Sequence, residues 1–161
     1  TIQNLCIKNN KELVVYISMG FGNPYGDEYN ETIVYNWVNK LVDMGIGIIS
    51  LADTVGLATP GQVLSVTKTL VDALPQTEIG VHLHSTARNW KAKTAAALEA
   101  GCLRFDGALK GIGGCPMADD VLVGNMDTEL MIPYFEEKGL LKGLNKEALQ
   151  NCSRMAGDIF I

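Results

Sequence analysis

Short apolar segments and amphipathic segments alternate along this chain, and this alternation is the feature that most restricts its fold. Four runs rich in β-branched and other apolar residues occur at residues 13–19, 46–53, 78–84 and 104–109, and each precedes a segment of helical character. Repeated strand and helix units of this kind predict parallel βαβ connections, with helices covering the sheet. The sequence therefore predicts an α/β fold.

The clearest helix boundary lies at Thr59. This residue precedes Pro60 and stands three residues before Gln62, a spacing that predicts a capping box with proline at the first helical position. Three further helices are predicted at residues 1–9, 128–138 and 146–156, the first of them as the tail of a preceding helix.

Composition excludes several classes of protein. The 161 residues are 47% hydrophobic and 19% charged, which is typical of one globular domain. A net charge of −5 argues against nucleic-acid binding, which needs clustered Lys and Arg. No apolar run approaches the roughly 20 residues that cross a bilayer and no signal pattern is present, so we expect a cytoplasmic protein with no membrane partner. The four cysteines lack CxxC spacing and are expected to be free thiols.

Polar residues follow the predicted strands at their carboxyl ends. Asp53 closes the second strand, His82 and His84 close the third, and a glycine-rich loop at 111–114 follows the fourth. The two histidines are the only ones in the chain, and residues separated by one position on a strand point to the same face. The pair can share one ligand, which favours a metal site over a packed or surface pair.

An open doubly wound sheet and a (β/α)8 barrel both fit the alternation. Polar groups at the ends of successive strands favour the barrel, which gathers its active site there. A barrel takes about 250 residues and eight units, so four units correspond to half of one. We predict the C-terminal half of a TIM barrel over residues 1–161, equivalent to strands 5 to 8, with a terminal helix. Its exposed strand edges would need a partner, either a missing N-terminal half-barrel or a second copy.

Four groups of motifs stand in order along the chain: GNPYG at 22–26, SLADTVG at 50–56 with TPG at 59–61, VHLH at 81–84, and GIGGCP at 111–116 with GN at 124–125. In order and spacing they resemble the C-terminal half of the hydroxymethylglutaryl-CoA lyases, within a superfamily of metal-dependent lyase and synthase barrels. The resemblance covers nearly the whole chain.

The resemblance implies a set of site residues. His82, His84 and Asn125 would bind a divalent cation, Mg or Mn, and Cys115 would be the catalytic thiol of a mobile loop. Asp53 would assist beside the metal. Two of these residues also have simpler interpretations, since Asp53 could cap the following turn and Asn125 could cap the following helix.

The chain also departs from the family pattern. The first-strand motif that supplies a metal-binding Asp next to an Arg, in a sequence resembling D-R-E or R-D-G, does not occur. Ser85 stands where the lyases usually carry Asp, and the loop between Cys115 and Asn125 is about one residue longer. Related synthases typically carry G-E-R-x-G-N in this loop, so the Gly114-Cys115-Pro116 sequence favours a lyase.

The resemblance thus implies an enzyme that splits a 3-hydroxy-3-methylglutaryl-CoA-like thioester into acetyl-CoA and a 3-oxo acid such as acetoacetate. Its partner would be an acyl-CoA substrate, and the isolated half-barrel is expected to be inactive. Two alternatives stay open. One is a Claisen synthase or aldolase of the same superfamily, and the other is a catalytically silent module that binds metal or serves assembly.

Overall fold

The computed structural model describes residues 1–114 and 123–160. The helices are α1 (Ile2–Lys8), α2 (Glu31–Asp43), α3 (Pro60–Ala73), α4 (Trp90–Glu99), α5 (Thr128–Glu137) and α6 (Lys146–Ile159). The strands are β1 (Val14–Ile17), β2 (Ile48–Ala52), β3 (Glu78–His82), β4 (His84–Ser85), β5 (Arg104–Phe105) and β6 (Gly124–Asn125). A short 3-10 turn at Leu109–Gly111 connects β5 to the glycine loop.

Four strands form one parallel sheet in the order β1-β2-β3-β5. Each is followed by a helix, α2, α3, α4 and α5 respectively, and α6 comes last. The parallel α/β fold predicted from the alternation is confirmed. Strands β4 and β6 form a separate antiparallel ribbon, which lies beyond the carboxyl end of β3.

The capping box at the start of α3 forms as its sequence predicts. The Thr59 side chain accepts from the Gln62 backbone N–H, and the Gln62 side chain accepts from the Thr59 N–H, at 3.2 and 3.0 Å. These contacts satisfy two backbone donors that the first turn of a helix would otherwise leave without partners.

Two predicted strands are shorter than expected. The segment 78–84 divides into β3 and β4, because the chain leaves the parallel sheet after His82 and His84 pairs instead with Asn125. The segment 104–109 keeps strand geometry only over β5, after which Ala108 N–H donates to the Met126 carbonyl at 3.0 Å. A methyl group on Gly107 would lie 2.9 Å from that same carbonyl, so the close approach requires glycine.

The apolar core lies between one face of the sheet and the helices. Alternate strand residues such as Ile49, Leu51, Ile79 and Val81 are buried there with Val38 of α2. The opposite face, which we call the inner face, is more polar. The register aligns one residue from each parallel strand across it: Tyr16, Ser50, Gly80 and Arg104.

Across 1–114 and 123–160, none of the helices combines the length and the apolar character that crossing a membrane requires. Several large apolar side chains are nevertheless exposed at the two ends of the chain. On α1 these are Ile2, Leu5 and Ile7, and near the end of α6 they are Met155, Ile159 and Phe160, all at least 58% exposed.

Candidate functional site

His82, His84 and Asn125 come together at the carboxyl end of the parallel sheet. His82 is the last residue of β3 and His84 is the first of β4, and their ring centroids are 5.4 Å apart. Asn125 of β6 is the register partner of His84 in the antiparallel ribbon. The structure therefore brings the three predicted metal ligands into one cluster, although they come from two different sheets.

The Asn125 side chain is oriented by a single backbone contact. Its Nδ2 donates to the Ile112 carbonyl at 2.8 Å, which leaves Oδ1 as the atom that can accept a hydrogen bond or bind a cation. The helix-cap interpretation of Asn125 is wrong, because the cap of α5 is Asp127, whose side chain accepts from the Glu129 N–H at 2.8 Å.

The His84 ring is buried and has an atom in need of a partner. The residue is 5% exposed, and its Nδ1 is buried without a hydrogen-bond partner among the described residues. Burial lowers the pKa of His84, and the neighbouring His82 lowers it further. The ring is therefore held in its neutral form, which is the form that coordinates metal ions.

His82 faces an acidic side chain that the motif analysis did not single out. Its Nδ1 lies 3.6 Å from Asp106 Oδ2, and the same oxygen accepts from the Tyr16 hydroxyl at 2.7 Å. The contact with His82 lowers the pKa of Asp106, with Tyr16 acting in the same direction, while the contact with Asp106 raises the pKa of Tyr16. A carboxylate on one ring nitrogen orients the other nitrogen toward a ligand, as in many metal sites.

Asp53 lies at the end of β2 with both carboxylate oxygens engaged. The residue is 2% exposed, Oδ1 accepts from the Ala58 N–H at 2.9 Å, and Oδ2 forms a 2.7 Å ion pair with Lys93. The turn-capping interpretation therefore describes one of its contacts. Lys93 was not predicted, because a lysine in an alanine-rich helix normally points to solvent, yet here it is 1% exposed.

The loops around the cluster are tied to one another and to the helices. Met19 N–H donates to Thr54 Oγ1 at 2.9 Å, which joins the loops that follow β1 and β2. Glu129 of α5 accepts from the Lys110 N–H at 2.7 Å and from the Ser153 hydroxyl, so it fixes the start of the glycine loop against α6. Cys115, the predicted catalytic thiol, lies outside the described residues.

The donor set can be compared with what a cation needs. In residues 1–114 and 123–160 no group of three or more His, Cys, Asp or Glu side chains is arranged to hold a metal ion. The cluster instead offers two imidazoles and an amide oxygen, and in the described residues the buried Nδ1 of the His84 ring has no hydrogen-bond partner. These residues fit part of the coordination sphere of a divalent cation, whose remaining ligands would be oxygens of an acidic residue, substrate or water.

Comparison with known proteins identifies the family. The chain belongs to the HMGL-like family, whose model matches residues 4–156. It is 38% identical to an (R)-citramalyl-CoA lyase of Chloroflexus aurantiacus over 84% of its length, and 32% identical to the hydroxymethylglutaryl-CoA lyase YngG of Bacillus subtilis over 95%.

Structural similarity shows how much of a complete fold this chain represents. The crystal structure of the Bacillus subtilis HMG-CoA lyase superposes with a TM-score of 0.88 at 31% identity, over 99% of this chain and 53% of that one. The two sequence relatives are covered over only 42% and 51% of their lengths, so the chain spans about half the length of the proteins that it matches. The predicted partial TIM barrel of four βα units is confirmed.

Proposed function

We propose that this chain is the metal-binding half of a carbon–carbon lyase that acts on a 3-hydroxy acyl-CoA thioester. The observation that carries the proposal is the convergence of His82, His84 and Asn125 at the carboxyl edge of the sheet, with the two imidazole centroids 5.4 Å apart. Membership of the HMGL-like family supports it, because the relatives above are named as lyases of CoA thioesters.

The reaction requires two proton movements. The bond between C2 and C3 breaks as the C3 hydroxyl gives its proton to a general base and becomes a ketone, and the bonding electrons stay on C2, which then takes up a proton from a general acid. A divalent cation, Mg or Mn, supplies positive charge near the substrate oxygens when it is bound. His82, His84 and Asn125 would hold it, with Asp106 orienting the His82 ring.

The remaining roles belong to the chain's own side chains. We propose that the Cys115 thiol delivers the proton to C2, as a general acid carried on the loop that begins at Gly111. Asp53 would assist by fixing the polypeptide around the metal ligands, since its carboxylate is buried in an ion pair and faces no open space. Tyr16, 46% exposed on the inner face of the sheet, is available to contact the acyl group.

The thioester is the common element of the substrate, and the acyl group is the variable one. One relative is named for citramalyl-CoA and another for hydroxymethylglutaryl-CoA. We propose a branched 3-hydroxy acyl group, with the hydroxymethylglutaryl-like thioester as the first to test. A synthase or aldolase reaction of the same superfamily is the alternative. It would be detected as condensation of acetyl-CoA with an oxo acid when both are supplied. The cytoplasmic location remains a prediction.

The half-barrel is proposed to work with a partner. Strands β1 and β5 are the two edges of the parallel sheet, and each leaves backbone groups free for another strand. Exposed apolar side chains at both ends of the chain, Leu5 and Ile159 among them, add a surface that a second half-barrel would cover. The partner would be an N-terminal half-barrel or a second copy of this chain.

Metal binding is tested directly on the 161-residue chain. Titration with Mn, followed by electron paramagnetic resonance or calorimetry, should give saturable binding that weakens at least about tenfold in His82→Ala and in His84→Ala. Lys68→Ala, which removes an exposed ion pair with Asp72 on α3, is the control and should bind as the unaltered chain does. Equal binding by all four proteins would refute the proposed site.

Cleavage is tested in a chain completed with the N-terminal half of the Bacillus subtilis lyase. Release of acetyl-CoA from hydroxymethylglutaryl-CoA should fall by about a hundredfold or more in Cys115→Ser if the thiol is a general acid. Unchanged turnover would exclude that role. Metal binding without turnover of any CoA thioester would instead support the silent metal-binding module.

A further inference from the structure

The buried side chain of Lys93 joins Asp53 to the backbone of His84. Its Nζ donates to three oxygens: Asp53 Oδ2 at 2.7 Å, the His84 carbonyl at 2.8 Å and the Gly56 carbonyl at 3.3 Å. An ammonium group has three donors and no acceptor, so these contacts use its full capacity. Because the lysine is also 1% exposed, it has neither a free donor nor a route to substrate.

Both histidines are connected to a single residue, Asp53, which directly follows β2. The Asp53 backbone N–H donates to the His82 carbonyl at 2.9 Å, and the Asp53 carboxylate holds the ammonium that binds the His84 carbonyl. The backbone hydrogen bond fixes the position of His82, and the side-chain contact through Lys93 fixes the position of His84. Leu83, which separates them, is 1% exposed.

His84 needs this support more than His82 does. His82 belongs to the five-residue strand β3, whose last register partner is Ala52 of β2. His84 belongs to the two-residue strand β4, which, among residues 1–114 and 123–160, pairs with the two residues of β6 alone. A two-strand ribbon of this length is weakly stable by itself, so a strong charge-assisted contact to its carbonyl has a large effect on where the ring lies.

We propose that Lys93 is a positioning residue that fixes His84 through its carbonyl oxygen, with Asp53 as the buried counter-charge. This inference rests on the proposed metal site, since its consequence for function is the affinity of that site. A purely structural role is the competing interpretation. Stability alone is a weak reason for a buried ion pair, because a well-packed apolar pair often serves equally well. The contact to the metal-ligand backbone is what an apolar pair could not replace.

The test variant is Asp53→Asn/Lys93→Met, which removes both buried charges together and so avoids leaving one uncompensated. Without metal, the nuclear Overhauser effect between the His82 and His84 ring protons should be lost, while the amide spectrum of β1, β2 and α3 is retained. With Mn, affinity should fall by about 10- to 100-fold, the usual effect of removing an outer-shell partner. A folded double variant in which either measurement is unchanged would overturn the proposal.

Two further proteins separate positioning from general damage. Thr67→Val is the matched control, since Thr67 is a fully buried residue of α3 whose hydroxyl lacks a partner in the described structure, and it should bind Mn normally. Asp53→Asn/Lys93→Gln keeps an amide donor at position 93 and should recover part of the lost affinity and the ring contact. Equal losses in both double variants, or failure of the glutamine variant to recover any ring contact, would refute the donor role.

The failure of this inference and the failure of the proposed function give different results. If the unaltered chain binds no Mn, the proposed metal site is wrong, but the ring contact between His82 and His84 still tests Lys93. If the unaltered chain binds Mn and the Asp53→Asn/Lys93→Met variant binds it equally, the metal site stands and the positioning role is wrong.

Discussion

Replacing Lys93 alone by methionine should destabilise the fold severely. Asp53, 2% exposed, would keep its charge and the Ala58 N–H but lose its counter-ion, and the His84 and Gly56 carbonyls would lose a donor. Breaking one partner from a buried ion pair typically costs about 3–5 kcal/mol. For a chain of this size, that corresponds to a fall in Tm of roughly 6–20 °C.

The double variant Asp53→Asn/Lys93→Met should recover most of that loss. The asparagine can still accept from the Ala58 N–H, and no charge remains buried. We expect a free energy of unfolding within about 2 kcal/mol of the unaltered chain, which gives a coupling energy of at least about 2 kcal/mol between the two sites.

Urea unfolding followed by circular dichroism measures the free energy of unfolding of the unaltered chain, Asp53→Asn, Lys93→Met and the double variant. The comparison requires that this free energy falls with urea concentration at the same slope in each protein. The reasoning fails if Lys93→Met alone costs less than about 1 kcal/mol, or if the double variant is as unstable as the sum of the two single variants. Either result would mean that the charges are not buried together as the 2.7 Å contact requires.

Three other predictions concern single residues. Asp106→Asn should lower the pKa of Tyr16, because the carboxylate that raises it is gone; ultraviolet titration of the phenols should show one group moving to lower pH, and an unchanged curve would contradict the contact. Burial raises the pKa of Cys102 to about 11, so its folded thiol stays protonated after the unfolded one has ionised. The free energy of unfolding of the unaltered chain, relative to that of Cys102→Ala, should therefore fall by up to about 3 kcal/mol between about pH 8 and pH 11. A difference that stays constant with pH would refute this. Thr59→Ala should cost about 1 kcal/mol in urea unfolding through loss of the α3 capping box, whereas Thr59→Asp should cost little.

The sequence predicted those features that depend on local periodicity and spacing. Parallel βα units, the capping box at Thr59 and the common face of His82 and His84 all follow from such rules. The two-residue period works for the histidines even though the parallel strand ends between them, since their ring centroids still lie 5.4 Å apart. Local rules could not place Asn125 opposite His84, since that pairing joins segments 41 positions apart.

The residues that were missed depend on tertiary contacts. Lys93 lies in a segment whose composition is that of an ordinary surface helix, and it is buried because α4 packs against α3 and its side chain reaches Asp53 and the His84 carbonyl. Tyr16 was taken as one residue of an apolar strand, and its role follows from a hydroxyl contact with a residue 90 positions away. Asp106 lies inside the predicted strand 104–109, and it comes to the carboxyl end of a strand only because β5 stops at Phe105.

The absence of a side chain at Gly80 decides what lies under the histidine cluster. A methyl group there would lie 2.5 Å from Ser50 Oγ and 2.8 Å from Arg104 Cδ, so the space above Gly80 is already filled by the stem of an arginine from the next strand. The face of the sheet beside Gly80 is therefore covered by a charged side chain, whose guanidinium is held by the Glu78 carboxylate at 3.1 Å. Shortening Arg104 would open space on this face without altering His82, His84 or Asn125, so the room beside Gly80 can be changed independently of these three residues.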